Sequence, residues 1–205
     1  MIRAVVLDWG GVIQRTVGRA PREELERELG LPLGGVGRAG FESAVFRQAS
    51  TGRCGADVAW AAIAASVGWP PECVDEFVER FFAGDQIDGA LVELIYRLRA
   101  RGLRVGLLSN APPGRSGGAS PAGRWGMEDL FDAQVFSYQV GALKPDPCMY
   151  EAILAALGVE AREALFIDDS PINVEGARAA GMEAVRFVGT EALVEELRRR
   201  GLGEA

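Results

Sequence analysis

The chain has 205 residues, enough for one sizeable hydrophobic core and a small second lobe. Its net charge of −7 argues against a nucleic-acid-binding protein, because such proteins need a basic surface to neutralise phosphates. It contains no histidine, which excludes Ser-His-Asp triads, phosphohistidine intermediates and His-ligated zinc, and leaves carboxylates, lysine, hydroxyls and backbone amides as possible catalytic groups.

The first predicted element is a buried strand. Residues 2–7 (IRAVVL) form a short apolar run rich in β-branched side chains. Asp8 and the turn-forming pair Gly10-Gly11 come directly after it. We therefore predict a strand that delivers Asp8 to a loop at its carboxyl end.

A helical stretch follows from residue 14 to residue 87, and no strand pattern interrupts it. The predicted helices cover residues 21–30, 41–50, 56–67 and 71–83. The last of them is amphipathic, with an apolar side formed by Val74, Phe77, Val78, Phe81 and Phe82. Residues 14–87 are therefore predicted to form an inserted, all-α cap subdomain.

Helices and strands alternate in the remainder of the chain. The predicted helices cover residues 88–101, 147–157, 171–180 and 190–200, and the predicted strands cover 103–108, 133–137, 164–167 and 183–188. Residues 112–124 are rich in Pro, Gly and Ser, which predicts a flexible surface loop. The alternation predicts an α/β fold, a Rossmann-like parallel sheet with helices on both faces, formed by residues 1–13 and 88–205.

Polar side chains stand at the carboxyl ends of three predicted strands. These are Asp8, the pair Ser109-Asn110 and the pair Asp168-Asp169, and Lys144 lies in a loop after another strand. Open α/β sheets bind ligands at the carboxyl ends of their strands. The sequence therefore predicts that these residues form one site.

The sequence around each of these residues is distinctive. The four segments read V-V-L-D-W-G-G-V, G-L-L-S-N, G-A-L-K-P-D-P-x-x-Y and F-I-D-D-S-P-I-N-V-E-G-A-R-A-A-G-M. In this order and spacing they resemble the four-motif signature of the haloacid dehalogenase superfamily, and most of all its phosphatase-like members with a helical cap between the first two motifs (the subfamily IA type). The resemblance implies a Mg²⁺-dependent hydrolase that dephosphorylates a small metabolite through an aspartyl-phosphate.

The resemblance also implies a nucleophile and a set of metal ligands. Asp8 corresponds to the nucleophile and a metal ligand, and Gly10 to the ligand that offers its backbone carbonyl. Of the acidic pair, Asp169 corresponds to the direct ligand, while Asp168 acts through water or holds the neighbouring groups in place. Asn173, four residues after Asp169, is placed to orient a ligand.

The phosphate-binding residues follow in the same way. Ser109 corresponds to the catalytic hydroxyl that binds phosphate, and Lys144 to the lysine that stabilises both Asp8 and the transferring group. Backbone amides of Asn110 and of the loop containing Trp9 and Gly10 are predicted to donate to phosphate oxygens.

One position departs from the family pattern. Most phosphatases of this family carry a second Asp two residues after the nucleophile, where it protonates the leaving alkoxide; here that residue is Gly10. General acid–base catalysis is typically worth about 10²–10⁴-fold in rate. We therefore expect hydrolysis to favour good leaving groups, such as those of a sugar 1-phosphate or an acyl phosphate. The alternative is a non-catalytic or regulatory protein that binds phosphate and Mg²⁺.

Two other protein classes fit the motifs less well. A 2-haloacid dehalogenase carries Tyr at the second position and a Ser/Asn pattern in place of the acidic pair, whereas this chain has Gly10 and Asp168-Asp169. A response-regulator receiver domain has its acidic pair early and its phosphorylated Asp in mid-chain, the reverse of the order found here.

The expected surroundings are those of a soluble cytoplasmic enzyme. No apolar run is long enough to cross a membrane, and the N-terminus lacks a signal-peptide pattern. The cysteines Cys54, Cys73 and Cys148 are odd in number and widely spaced, as in reduced proteins. We expect a small phosphorylated metabolite as partner, no nucleic acid and no membrane, and a monomer or a homodimer.

Overall fold

The computed structural model describes residues 1–115 and 122–203. Its strands are β1 (Ala4–Leu7), β2 (Gln14–Thr16), β3 (Asp85–Ile87), β4 (Arg104–Ser109), β5 (Ala133–Phe136), β6 (Ala164–Asp168) and β7 (Glu183–Arg186). Its helices are α1 (Ala20–Glu28), α2 (Gly35–Phe41), α3 (Ala44–Ser50), α4 (Ala56–Ser66), α5 (Val74–Phe82), α6 (Gly89–Ala100), α7 (Ser137–Val140), α8 (Pro147–Leu157), α9 (Pro171–Ala179) and α10 (Thr190–Arg199).

Five strands form a parallel sheet in the order β5-β4-β1-β6-β7. β1 lies at its centre, and all four of its residues are buried, as expected for a strand covered on both faces. Leu7 of β1 pairs with Leu107 of β4 and with Ile167 of β6. Because the three strands are parallel and in this register, Asp8, Ser109 and Asp168 end them at the same edge of the sheet. The predicted α/β fold is confirmed.

Helices cover both faces of the sheet. Alternate side chains of β1 point to opposite faces, so Val5 and Leu7 belong to one apolar cluster and Ala4 and Val6 to another. The first cluster includes side chains of α6 and α10, and the second includes side chains of α8 and α9. The sheet is therefore the middle layer of three, as the alternating pattern predicted.

The helices α1–α5 build a third apolar cluster of their own. Its largest fully buried members are Phe77 and Phe81 of α5, and Trp60 of α4 packs against Phe81 with ring centroids 5.0 Å apart. The amphipathic pattern of residues 71–83 identified this face correctly. Among the described residues, no helix combines the length and apolarity that a membrane span requires.

The connections into and out of this helical part pair with each other. β2 and β3 form an antiparallel two-stranded sheet in which Gln14 faces Ile87 and Thr16 faces Asp85. The prediction that residues 14–87 contain no strand is therefore wrong at both ends. Each strand has only three residues, too few to show an alternating pattern, and its partner lies about 70 residues away in the sequence.

Other predicted boundaries differ in detail. The helix predicted at 41–50 begins too early, because α3 begins at Ala44, where the hydroxyl of Ser43 accepts from Phe46 N and caps its start. The preceding helix α2 was not predicted. The helix predicted at 71–83 begins with a 3-10 turn at Pro71–Cys73. Much of the flexible loop predicted at 112–124 lies outside the described residues, and Gly123–Trp125 form a 3-10 turn.

Candidate active site

A cavity of about 990 Å³ opens at the carboxyl edge of the sheet, between the sheet and the helices α1–α5. The predicted site residues that line it are Asp8, Trp9, Gly10, Ser109, Asn110, Lys144, Asp169 and Asn173. Asp168 is fully buried directly behind them and bonds to Lys144 and Asn173. The structure thus brings together every site residue singled out in the four motifs.

Lys144 is the central cation of this site. Its Nζ lies 2.7 Å from Asp8 Oδ1 and 2.7 Å from Asp168 Oδ2, and it donates to the carbonyl of Leu108 at 2.8 Å. The side chain is 1% exposed. A buried lysine needs such partners, because an unpaired charge away from water is very costly. The ammonium group is therefore held beside the Asp8 carboxylate.

Asn110 holds the loop that carries Lys144. Its Oδ1 accepts from Lys144 N at 2.8 Å, and its Nδ2 donates to the Lys144 carbonyl at 3.1 Å. This two-way bond joins the end of β4 to the Lys144 loop. The side chain of Asn110 is thus engaged with protein, so a phosphate contact from this residue would come from its backbone amide.

The two acids after β6 differ in their surroundings. Asp168 Oδ1 accepts from Ser170 N at 2.9 Å, Oδ2 accepts from Lys144, and Nδ2 of Asn173 lies 3.0 Å from both oxygens. Its acceptor capacity is almost filled by protein donors. Asp169 is exposed, and its carboxylate lies against Gly11, where an added Cβ would be 2.5 Å from Oδ2.

Three carboxylates converge at this edge. One oxygen each of Asp8, Asp168 and Asp169 can be chosen so that all lie within 4.8 Å of one another. Burial raises the pKa of Asp8 to about 7, against the lowering effect of Lys144, and the charge of Asp168 raises it further. Burial and then Asp168 also raise the pKa of Asp169. The site therefore has a deficit of positive charge, which a cation would correct.

The loop after β1 fixes the surroundings of Asp8. Trp9 N donates to Asp8 Oδ1 at 2.7 Å, and the Trp9 ring is 3% exposed and belongs to the core cluster beneath the sheet edge. Gly11 has a φ of +82°, in the region that favours glycine. A Cβ added at Gly10 would meet no atom within 4 Å. Space for a larger side chain thus exists at Gly10 but not at Gly11.

A polar network that the sequence did not reveal joins this loop to β3. Trp9 Nε1 donates to Gln14 Oε1, and Gln14 Nε2 donates to Asp85 Oδ2 at 2.8 Å. Asp85 also accepts from Thr16 Oγ1 at 2.6 Å and pairs with Arg22 at 3.0 Å. Gln14, Arg22 and Asp85 all line the cavity. No local sequence pattern relates these residues, because β2 and β3 meet only through their pairing.

The helical part contributes both apolar residues and the charged residues Asp75 and Glu79 to the cavity lining. The apolar residues among these are Phe41, Phe46, Ala56, Trp60, Val78 and Phe82. Arg22, Arg115 and Arg124 lie among the lining residues as well. The exposed arginines Arg47 and Arg53 of the helical part are not among the lining residues.

The sequence is similar to one family of proteins and to individual phosphatases. The profile of the family described as haloacid dehalogenase-like hydrolase matches residues 2–181. Phosphatase MT3486 of Mycobacterium tuberculosis is 46% identical over 89 residues, which are 42% of this chain and 39% of that protein. A phosphoglycolate phosphatase of Rhodospirillum rubrum is 37% identical over 109 residues, 51% of this chain and 44% of that protein. The matched segments thus span less than half of these two relatives.

A solved structure shares the fold. It is that of an enzyme from Bacteroides thetaiotaomicron in complex with magnesium and inorganic phosphate, which superposes with a TM-score of 0.68 at 21% identity. The superposition covers 91% of this chain and 94% of that one.

Proposed function

Since the chain belongs to the haloacid dehalogenase-like hydrolases, we propose that it is a magnesium-dependent phosphatase of a small phosphorylated metabolite, acting through an aspartyl-phosphate on Asp8. The superfamily assignment made from the four motifs is confirmed by the family match. Similarity to two phosphatases supports the reaction type, and the magnesium and phosphate bound by the Bacteroides enzyme support the metal. The observation that carries the proposal is the buried contact of Lys144 Nζ with Asp8 at 2.7 Å.

The donor set fits a magnesium ion. Magnesium prefers oxygen ligands, and three carboxylates converge here. Asp8, Asp169 and the carbonyl of Gly10 would hold the ion, whereas Asp168, whose oxygens already accept from protein donors, would position Lys144 and act on the metal through water. When bound, magnesium would offset the negative charge of the nucleophile and of the phosphate.

The first chemical step belongs to Asp8. Its carboxylate attacks phosphorus and forms an acyl-phosphate, which replaces one difficult displacement by two easier ones. Lys144 stabilises the charge that builds up on the transferring group, because its ammonium is fixed 2.7 Å from Asp8 Oδ1. The hydroxyl of Ser109 and the backbone amides of Trp9, Gly10 and Asn110 donate to the phosphate oxygens.

Release of the leaving alcohol is the step for which the chain offers no acidic side chain at Gly10. Gly10 has no side chain and cannot give a proton to the leaving oxygen. The leaving group therefore departs as an anion, or takes its proton from water. Substrates whose leaving groups are stable anions should react fastest.

Residues 14–87 are proposed to act as a cap over this site, with residues 1–13 and 88–205 as the catalytic core. The cavity lies between the two parts and takes lining residues from both, such as Trp60 from α4 and Ser109 from β4. The cap would then contact the organic part of the substrate while the core holds its phosphate.

The lack of an acidic side chain at Gly10 favours one alternative function, that of a regulatory protein that binds phosphate and magnesium without hydrolysing a substrate. The presence of Asp8, Lys144 and Asp169 in one contiguous cluster argues for catalysis.

A phosphatase screen tests the proposal. Purified protein with magnesium is offered sugar phosphates, acyl phosphates and p-nitrophenyl phosphate, and an acyl-phosphate on Asp8 is sought by mass spectrometry. We expect turnover that is lost in Asp8→Asn and kept in Asp129→Asn, which changes an exposed carboxylate outside the cavity. Magnesium binding without turnover of any substrate would favour the regulatory protein.

A further inference from the structure

Four aromatic rings form one wall of the cavity. This aromatic wall consists of Phe41, Phe46, Trp60 and Phe82. The ring centroids lie 5.5 Å apart for Phe41 and Phe46, 5.8 Å for Phe46 and Trp60, and 5.5 Å for Trp60 and Phe82, all with edge-to-face geometry. Edge-to-face packing of this kind holds the rings in fixed orientations. The wall is thus a preformed aromatic surface.

Part of the aromatic wall is open to solvent. Phe41 is 47% exposed, and Phe46 and Phe82 are half-buried. Single exposed apolar residues are ordinary, but a contiguous aromatic surface within a concave site is typical of a binding site for an apolar ligand. Contact with such a ligand would remove this surface from water.

Two of the three arginines beside the aromatic wall pair with carboxylates. Arg22 pairs with Asp85 at 3.0 Å and donates to the carbonyl of Phe81 at 2.7 Å. Arg115 pairs with Asp57 at 3.0 Å, and the guanidinium of Arg124 lies 5.3 Å from the Phe82 ring centroid. The wall itself therefore presents ring faces and edges to whatever occupies the cavity, while Asp75, Glu79 and Arg124 are charged side chains of the same lining.

Gly10 restricts the leaving group independently of the wall. A phenol ionises with a pKa of about 10, like tyrosine, whereas the pKa of an aliphatic alcohol is far higher and close to that of water. A phenolate is therefore a far better leaving group than an alkoxide where no acid stands beside the nucleophile. Phosphate esters of phenols fit both observations, because their rings can contact the aromatic wall and their phenolate leaving groups need no acid.

We propose that the substrate is a phosphate monoester of a phenol within a small, largely apolar aromatic molecule; this inference rests on the phosphatase proposed above. An oxygen of Asp8 bonds to phosphorus while the bond from phosphorus to the phenolic oxygen breaks. The electron pair leaves on the phenolate, which takes a proton from water. Water then adds to phosphorus, the bond to Asp8 breaks with its electron pair returning to the carboxylate, and one proton passes to solvent. One water is consumed, and phenol and phosphate are released.

Four probe substrates separate ring recognition from leaving-group quality. 2-Naphthyl phosphate combines an apolar body with a phenolic leaving group. Phenyl phosphate keeps the leaving group with a smaller body, 2-naphthylmethyl phosphate keeps the body with an alcohol as leaving group, and acetyl phosphate has a good leaving group and no ring. We expect kcat/KM for 2-naphthyl phosphate to exceed kcat/KM for phenyl phosphate by about tenfold, through a lower KM. We expect it to exceed kcat/KM for 2-naphthylmethyl phosphate by about 10²-fold or more, through a higher kcat.

Variants of the aromatic wall test where the ring binds. Phe41→Ala and Phe46→Ala should raise KM for 2-naphthyl phosphate by about tenfold and leave acetyl phosphate turnover within about twofold. Val58→Ala serves as the matched control, because Val58 is an exposed apolar residue of α4 outside the cavity lining. Acetyl phosphate turnover shows that each variant retains a folded active site, and Phe41→Leu offers a milder change.

The outcomes distinguish this inference from the proposed function. Two results would overturn the substrate class and leave the proposed phosphatase unaffected. One is an equal kcat/KM for 2-naphthyl and phenyl phosphate. The other is that the wall variants lose acetyl phosphate turnover as much as they lose 2-naphthyl phosphate turnover. Failure to hydrolyse any of the four probes, acetyl phosphate included, would overturn the phosphatase itself.

Discussion

Gly10 is the residue that would limit the leaving groups of the proposed reaction. A Cβ there would meet no atom within 4 Å, so the position has room for the first atom of an introduced side chain. We expect Gly10→Asp to raise turnover of 2-naphthylmethyl phosphate by about 10²–10⁴-fold, because the new carboxylic acid protonates the alkoxide. Steady-state kinetics check this, with 2-naphthyl phosphate as the substrate that gains little.

Gly10→Asn is the control for that prediction. The amide has nearly the shape of the carboxylic acid but does not act as one. An equal gain in the Asn variant would mean that side-chain volume, and not proton donation, causes the effect. An unchanged rate in the Asp variant would mean that another group already supplies the proton.

Asp8 makes magnesium binding depend on pH. Burial raises the pKa of Asp8 to about 7, so folded protein without metal holds a proton that the unfolded chain has already released above its ordinary value of 3.8. The contribution of Asp8 to folding stability therefore falls as pH rises from about 4 to about 7, because ionising the buried carboxyl group is unfavourable. A divalent cation offsets this cost by pairing with the ionised carboxylate.

We therefore expect saturating magnesium to raise the melting temperature more at about pH 8 than at about pH 5.5. Differential scanning calorimetry at the two pH values measures this. In Asp8→Asn the pH dependence of the magnesium effect should decrease, and the remainder would come from Asp169, whose pKa burial also raises. Equal shifts at both pH values in the unmodified protein would contradict the raised pKa.

The residues of the four motifs could be placed from the sequence alone. Asp8, Ser109 and Asp168 each end a buried strand, and parallel strands bring such ends to one edge. The link from Trp9 through Gln14 to Asp85 could not, because it depends on the pairing of two short strands far apart in the chain. Side-chain contacts of this kind are determined by tertiary packing.

At the scale of elements, Gly176 sets how closely α9 approaches the loop of Lys144. A Cβ at this position would lie 2.6 Å from Pro145 Cβ and 2.8 Å from the hydroxyl of Tyr150. We expect Gly176→Ala to lower the free energy of unfolding by about 1–3 kcal/mol through overpacking. It should also reduce kcat, because the displaced Pro145 carries Lys144 with it. Denaturant unfolding and kinetics measure the two effects.

Gly37 provides the matched control for Gly176. It lies within α2, and an added Cβ would meet no atom within 4 Å. Gly37→Ala should raise the free energy of unfolding by about 0.5–1 kcal/mol, because alanine favours the helix. Destabilisation by both substitutions would argue against the close approach of α9 as the cause.

The helices and strands of the core were predictable because their apolar patterns are long and regular. β6 is buried throughout and β4 is buried from Val105 onward, and α10 shows a polar and an apolar side. The division between α2 and α3 was not predictable with the same rules, since Ser43 is one weak capping signal within a run of helix-compatible residues. Sequence periodicity therefore identified elements better than it identified their breaks.

At the scale of the whole molecule, Arg115 links the two parts across the cavity. It pairs with Asp57 of α4 at 3.0 Å and with Asp75 of α5, whereas Arg115 itself follows β4 in the chain. Ion pairs near the surface contribute about 0.2–1 kcal/mol each and are screened by salt. We expect Arg115→Gln to change stability little but to raise KM up to about fivefold.

Salt provides the check on that prediction. Raising the ionic strength should raise KM of the unmodified protein towards that of Arg115→Gln, and should change the variant much less. Arg162→Gln is the control, because Arg162 is exposed and pairs with Glu160 away from the cavity. A salt effect of the same size in Arg115→Gln would show that the link does not hold the two parts together.

The helices that carry the aromatic wall pack around an apolar cluster of their own, which includes Phe77 and Phe81. The strands that carry the proposed catalytic residues belong to the two clusters on either side of the sheet. Substitutions in one set of helices therefore need not disturb the other. Related proteins can therefore change the substrates they bind through substitutions in the helices α1–α5 while the reaction stays the same. We expect homologous proteins from related species to differ in the organic molecules they accept before they differ in the reaction they catalyse.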